Sequence, residues 1–131
     1  MAEPVLVGLI FADRIITENN NKKGIIGTFN RFSSPKFPVM FPPWAVYAAV
    51  TNLTGPHKFA VNLVLDHLSH VVFASSGDFE VERLDDVVEI PLHMNGIMFP
   101  NAGAYNLTFV VDGVQVGSRV LKVDQTTQSG G

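Results

Sequence analysis

The chain has 131 residues, a length typical of one domain and sufficient to bury a core without disulfide or metal staples. It contains no cysteine, which excludes disulfides, thiolate metal sites and cysteine nucleophiles and fits a reducing compartment such as the cytoplasm. Its formal charge is −3 and its 9 basic residues are scattered, so no basic stripe exists to neutralise phosphates and no nucleic-acid partner is expected.

Period-two alternation runs through the sequence, and no stretch carries a helical period. The first strand is predicted from Val5 to Ala12. Val5, Val7, Leu9 and Phe11 alternate with Leu6, Gly8, Ile10 and Ala12, and both faces are apolar, as in a central strand covered on both sides. Asp13-Arg14 end this run far short of the ~20 apolar residues that cross a bilayer. Met1-Ala2-Glu3-Pro4 lacks the basic start of a secretion signal, and no membrane association is expected.

Ile15 to Glu18 is predicted to pair with Ile25 to Phe29 across a polar loop, Asn19-Asn20-Asn21-Lys22-Lys23-Gly24. Ser33 to Pro43 holds four prolines, which donate no ladder hydrogen bond, so it reads as a loop or an edge crossing. Trp44 to Thr51 and Phe59 to Leu65 alternate as strands on either side of the turn Thr54-Gly55-Pro56. Two shorter strands, Val71 to Ala74 and Phe79 to Arg83, flank a turn at Ser75-Ser76-Gly77-Asp78, and Val87 to Met94 follows.

In the last hairpin Tyr105, Leu107, Phe109 and Val111 alternate with polar residues up to Asp112-Gly113, the signature of a two-residue type I′ turn. That register sets Val111 against Val114, Phe109 against Val116 and Leu107 against Ser118. The apolar phase then shifts to Leu121 and Val123, which calls for a bulge near Gly117-Ser118. The expected fold is all-β, a two-sheet antiparallel β-sandwich of about eight or nine strands, with a small β-barrel as the alternative. Residues 1–123 form a single domain in this reading, and residues 124–131 a flexible polar tail.

Several stretches resemble a family of small uncharacterised bacterial proteins. They are Ala12-Asp13 with Ile15-Ile16, Ile26-Gly27-Thr28-Phe29-Asn30-Arg31, and Phe37-Pro38. The ending is similar too, from Gly103-Ala104-Tyr105 through Val111-Asp112-Gly113 to Leu121-Lys122-Val123. The resemblance implies a compact β-sandwich domain of unknown function and carries over no catalytic residue.

Four places invite a site. Phe37, Met40, Phe41 and Trp44 are the candidate binding residues, because aromatic side chains between prolines make a stiff apolar surface that can stack on sugars or anchor a protein. The competing reading is a loop that lids one end of the core. His67 and His70, next to Asp66, are the candidate metal ligands. Residues three apart on a strand point to opposite faces, so sharing a metal requires a turn and a third ligand such as His57 or His93. The expectation is a polar loop with no metal. Asp78, Glu80, Glu82, Asp85, Asp86 and Glu89 are acidic, but the calcium-loop pattern is absent, and a solvated strand face or an edge guarded by like charge is expected. No Gly-x-Ser-x-Gly elbow and no phosphate-binding glycine loop occur, so no catalytic residue and no cofactor are assigned.

These observations favour a non-enzymatic binding or assembly module. The alternatives are a small hydrolase or lyase using an acidic/histidine site, and a carbohydrate-binding module. Charged residues make up only 16% of the chain and apolar residues 47%, against about 25% charged in ordinary domains. Some apolar surface must therefore face outward, and a homodimer or another protein partner is expected. The surfaces proposed for it are the Phe37–Trp44 loop and the outer side of the first strand, with Leu6 and Ile10.

Overall fold

Alternating β-branched and aromatic residues favour a pleated, half-buried backbone. A computed structural model describes residues 3–127 as eleven strands and one 3₁₀ turn. The strands are β1 (Val5–Thr17), β2 (Lys23–Phe29), β3 (Arg31–Ser34), β4 (Val39–Met40), β5 (Trp44–Thr51) and β6 (Gly55–Leu65). After the 3₁₀ turn Asp66–Leu68 come β7 (His70–Val81), β8 (Val88–Met94), β9 (Met98–Phe99), β10 (Gly103–Val111) and β11 (Val114–Gln125). One sheet has the order β2-β1-β5-β8, a second the order β3-β11-β10-β6-β7, and β4 pairs with β9. No helix among the described residues is long and apolar enough to cross a membrane.

The all-β class is as expected, with corrections in the details. The strands number eleven because the Ser33–Pro43 segment contributes to β3 and supplies β4. The sheets are not purely antiparallel: β3 lies parallel to β11, with Phe32 beside Val123 and Ser34 beside Gln125. Expecting adjacent strands to form hairpins missed this non-local pairing. β11 runs two residues past the predicted tail boundary, and its end is held by the Thr126 N–H, which donates to the Ser34 carbonyl. The expected tail falls partly outside the described residues.

β7 is one continuous strand, where a turn at Ser75-Ser76-Gly77-Asp78 was expected. Tertiary pairing overrides the local turn preference, since Ser75, Ser76, Gly77 and Asp78 face Val61, Ala60, Phe59 and Lys58 of β6. Gly77 lies under the Phe59 ring, where a Cβ would come within 2.7 Å of Phe59 Cε1. A glycine that reads as a turn former thus makes room for an aromatic side chain.

Three bulges set the faces. In β1 Val7 is the extra residue, because Leu6 opposes Val50 and Gly8 opposes Ala49. Leu6 therefore turns toward the core and Ile10 outward, which corrects the expectation that they share one face. In β7 the extra residue is Val72. In the last hairpin Phe109 opposes Gly117 and Val110 opposes Gln115, so the bulge centres on Val116, nearer the turn than predicted.

Inward side chains of both large sheets form one cluster: Leu9, Phe11, Val46, Ala48 and Val50 from one, and Val61, Leu63, Tyr105, Leu107, Phe109 and Leu121 from the other. β5 is buried on both faces, since Ala45 and Ala49, which point away from that cluster, are 1% and 0% exposed.

The hairpin turn has φ of 50° at Asp112 and 82° at Gly113, both in the left-handed region that a type I′ turn requires. A Cβ at Gly113 would meet nothing within 4 Å, so the cost of replacing it is purely one of backbone conformation. Gly113→Val is expected to destabilise by about 1–2 kcal/mol. Chemical denaturation checks this; an unchanged midpoint would count against the turn.

Candidate functional site

The proline-aromatic loop folds inward. Trp44 is buried, while Phe37 and Phe41 are half-buried and pack against the core. Phe41 stacks on Phe32 at 4.2 Å between centroids, and Trp44 meets Phe32 edge-on at 5.3 Å. Of the four candidate binding residues only Met40 is largely exposed, at 51%. The rings thus lid one end of the core, and no flat aromatic platform faces solvent.

His67 lies in the 3₁₀ turn and His70 opens β7, separated by Ser69 in the left-handed conformation at φ 49°. His57 is in β6 and His93 in β8. Among the described residues no group of three or more His, Asp or Glu side chains is placed to hold a metal ion. The acidic residues spread out. Asp78 and Glu80 point from β7, an edge strand, Asp86 accepts from the Arg83 N–H at 3.3 Å, and Glu89 accepts the Tyr47 hydroxyl proton.

The structure brings together a pair that no local spacing reveals. His57, near the start of β6, and Asp112, at the hairpin turn, are 55 residues apart, yet Nδ1 of the ring lies 2.6 Å from Asp112 Oδ2. The ring's Nε2 lies 2.8 Å from the Thr54 carbonyl oxygen. The other carboxylate oxygen of Asp112 accepts from the Lys58 N–H at 2.9 Å, and the Asp112 N–H donates to the Lys58 carbonyl at 2.8 Å. Four bonds thus hold the turn, His57 and the start of β6 together. An open groove lined by Pro56, Lys58, Asp78, Phe79 and Glu80 lies on one side of the pair, and one lined by Glu3, Pro4, Leu53, Val114, Gln115 and Val116 on the other.

This geometry resembles the carboxylate–imidazole arrangement of an Asp–His dyad. A general base needs a free lone pair on one ring nitrogen. A carboxylate and a carbonyl oxygen only accept hydrogen bonds, so both ring nitrogens of His57 must donate. While both bonds are made, the ring carries both protons and has no lone pair to offer. The bond to Asp112 raises the His57 pKa above its ordinary 6.5, against an opposing effect of burial. The same bond, followed by the one from Lys58, lowers Asp112 below its ordinary 3.8.

Arg119 is a second residue the sequence reading passed over. Its β10 neighbour is Leu107, so it points toward the inter-sheet space, where Nη1 donates to the Leu9 carbonyl at 2.7 Å and the guanidinium sits 5.2 Å from the Phe11 ring centroid. β2 pairs with β1 only from Phe11 onward, and β3 with β11 only from Lys122 onward. Arg119 bridges the seam that these short neighbours leave, beside Leu6, which lies over Gly117.

A family model, described as a family of unknown function (DUF6941), matches residues 8–124. No curated protein matches the chain.

Two outcomes test the site as described. Trp44→Ala is expected to cost about 3–5 kcal/mol, as for a buried aromatic, whereas Met40→Ala should stay within about 0.5 kcal/mol. Comparable, small effects at both positions would mean the rings do not lid the core. The His57–Asp112 pair predicts a pH-dependent contribution. With His57 raised, its share is complete below pH 6.5 and is lost as pH climbs through the higher folded value; with Asp112 lowered, its share is present above pH 3.8 and is lost as pH falls through the lower folded value. The stability difference between wild type and His57→Gln should therefore be largest between pH 3.8 and 6.5 and shrink on both sides. Urea titrations across that range read it out, and a pH-independent difference would contradict the pairing.

Proposed function

We propose that the chain, which belongs to this family of unknown function, is a non-enzymatic, single-domain β-sandwich module that assembles with a second copy of itself. The sandwich reading, preferred here to a small barrel, is supported by two separately ordered sheets whose inward side chains meet in one cluster. The lack of cysteine supports a cytoplasmic setting.

The observation that carries self-association is the outward face of the four-stranded sheet. Across it Ile10 lines up with Tyr47 and Pro91, and Ala12 with Ala45. Ile26 sits across from Arg14, and Ile16 across from Gly24. Arg14, Tyr47, Glu89 and His93 bring the titratable groups to these rows, and Glu89 is engaged by the Tyr47 hydroxyl. Ile16 and Ile26 stay 41% and 37% exposed. A specific interface on this face would bury at least about 1,000 Å² in total. A face this regular is self-complementary under a two-fold axis, the commonest symmetry of soluble oligomers.

The enzyme reading draws no support from His57, both of whose ring nitrogens face acceptor oxygens. The carbohydrate reading lacks a platform, since the loop's rings turn inward.

Sedimentation equilibrium at micromolar concentration should give twice the 14.3 kDa chain mass. Ile26→Lys puts a charge on an exposed site of this face and should weaken association at least about tenfold, roughly 1.4 kcal/mol. A wild-type monomer would overturn self-association, and a dimer indifferent to Ile26→Lys would move it off this face.

A further inference from the structure

We infer that the His57–Asp112 pair is a proton-operated clasp: the doubly protonated ring holds the β10–β11 turn against the start of β6, and loss of one ring proton frees that corner of the domain. This inference is independent of self-association and concerns a different end of the fold.

The argument is one of valence. His57 sits between two oxygens that can only accept, Asp112 Oδ2 at 2.6 Å and the Thr54 carbonyl at 2.8 Å. A neutral imidazole has a single N–H, so it can satisfy one of them and must turn a lone pair toward the other. Whichever nitrogen loses its proton, an acceptor–acceptor contact replaces a hydrogen bond. If Nδ1 loses it, the carboxylate is repelled. The same carboxylate is held by the Lys58 N–H through its other oxygen, and the Asp112 N–H reaches back to the Lys58 carbonyl. Displacing the carboxylate therefore strains all the contacts that dock the turn. If Nε2 loses it, the Thr54 carbonyl is repelled instead, and the backbone corner ahead of β6 shifts.

The surroundings favour the charged ring without locking it. From β7 the Phe79 ring lies 5.6 Å away, and Asp78 and Glu80 line the same groove. Glu3 lines the groove on the other side, and Lys58 is the one cation in either lining. The His57 side chain is only 17% exposed and that of Asp112 is 50% exposed, so the ring is sheltered while its partner is open to water. The turn has few other restraints, since Val114 just beyond it is 65% exposed. An exposed corner held by four hydrogen bonds that share one ring proton is where local opening is cheapest.

The test is a proton-resolved NMR titration of the full chain from pH 5 to 9. His67, His70 and His93, all exposed, serve as internal references. His57 should keep both ring protons to a higher pH than the three references, and the Lys58 and Asp112 amide resonances should move with the His57 midpoint and with no other. Amide exchange in the turn should accelerate above that midpoint. Asp112→Asn should lower the His57 midpoint and remove the coupled amide shifts. Should that variant not fold, the wild-type titration decides alone. A His57 ring carrying a single proton at pH 6, or one titrating while the Lys58 and Asp112 amides stay still, would overturn the clasp.

Discussion

The indole of Trp44 meets Phe11 and Phe29 of the first hairpin edge-on, at 6.1 and 5.8 Å between ring centroids. It also meets Phe32 of β3 and Phe99 of β9, and Phe99 in turn meets Tyr105 of β10 edge-on at 4.9 Å. Edge-to-face contacts of this kind add to the area the rings bury. Through them one cluster joins both large sheets and the small β4–β9 pair. β4 and β9 have two residues each and could not persist as an isolated ladder. They persist because Phe41, next after β4, and Phe99 of β9 are drawn into the cluster at 5.4 Å from each other. The buried phenol of Tyr105 donates to the Asn101 carbonyl four residues back, so the cluster hides no unsatisfied hydroxyl.

Local pattern made part of this legible. The alternation of β5 and β10 and the two positive φ angles at Asp112-Gly113 follow from residue type alone. What stayed hidden depends on neighbours distant in the chain. Ser75-Ser76-Gly77-Asp78 has the chemistry of a turn, and only the eleven-residue β6 alongside keeps it extended. A bulge shifts the phase by one residue and leaves no mark in composition, which is how Leu6 and Ile10 came to seem companions. The prolines and rings of the Phe37–Trp44 loop read as a surface or as a lid, and only distant Phe32 and Phe99 reveal that Phe41 and Trp44 pack inward. His57 and Asp112 were each visible for a different reason, one as a spare histidine and one as a turn residue. Their bond is a consequence of β6 pairing with β10, with Phe59 opposite Val111.

The same topology separates two kinds of restraint. Tyr105 and Asp112 are seven residues apart on one chain segment, β10 and its turn, which amounts to about 24 Å of extended strand. At the Tyr105 end the contacts are aromatic, water-excluding and indifferent to pH. At the Asp112 end they are hydrogen bonds around one ionised ring and one carboxylate, half open to solvent. Between them Phe59 stacks on Phe109 with centroids 6.1 Å apart, the last aromatic contact of β10 before the polar corner.

This asymmetry bears on where the molecule can respond to its surroundings. An aromatic lid gives way only at a cost close to that of unfolding, because its rings belong to the common core. The polar corner draws little on that core, and its four hydrogen bonds share a single proton balance. Both open grooves that touch His57 and Asp112 lie at this corner, where Lys58, Asp78, Glu80 and Glu3 also contribute charge. The outward face of the four-stranded sheet has the opposite character. Its small residues are covered by their own neighbours, with the Tyr47 ring lying 3.5 Å from the Cβ position of Gly8, and its titratable groups, Arg14, Tyr47, Glu89 and His93, are spread along its rows. The face and the corner share no residue, so the two can be altered one at a time.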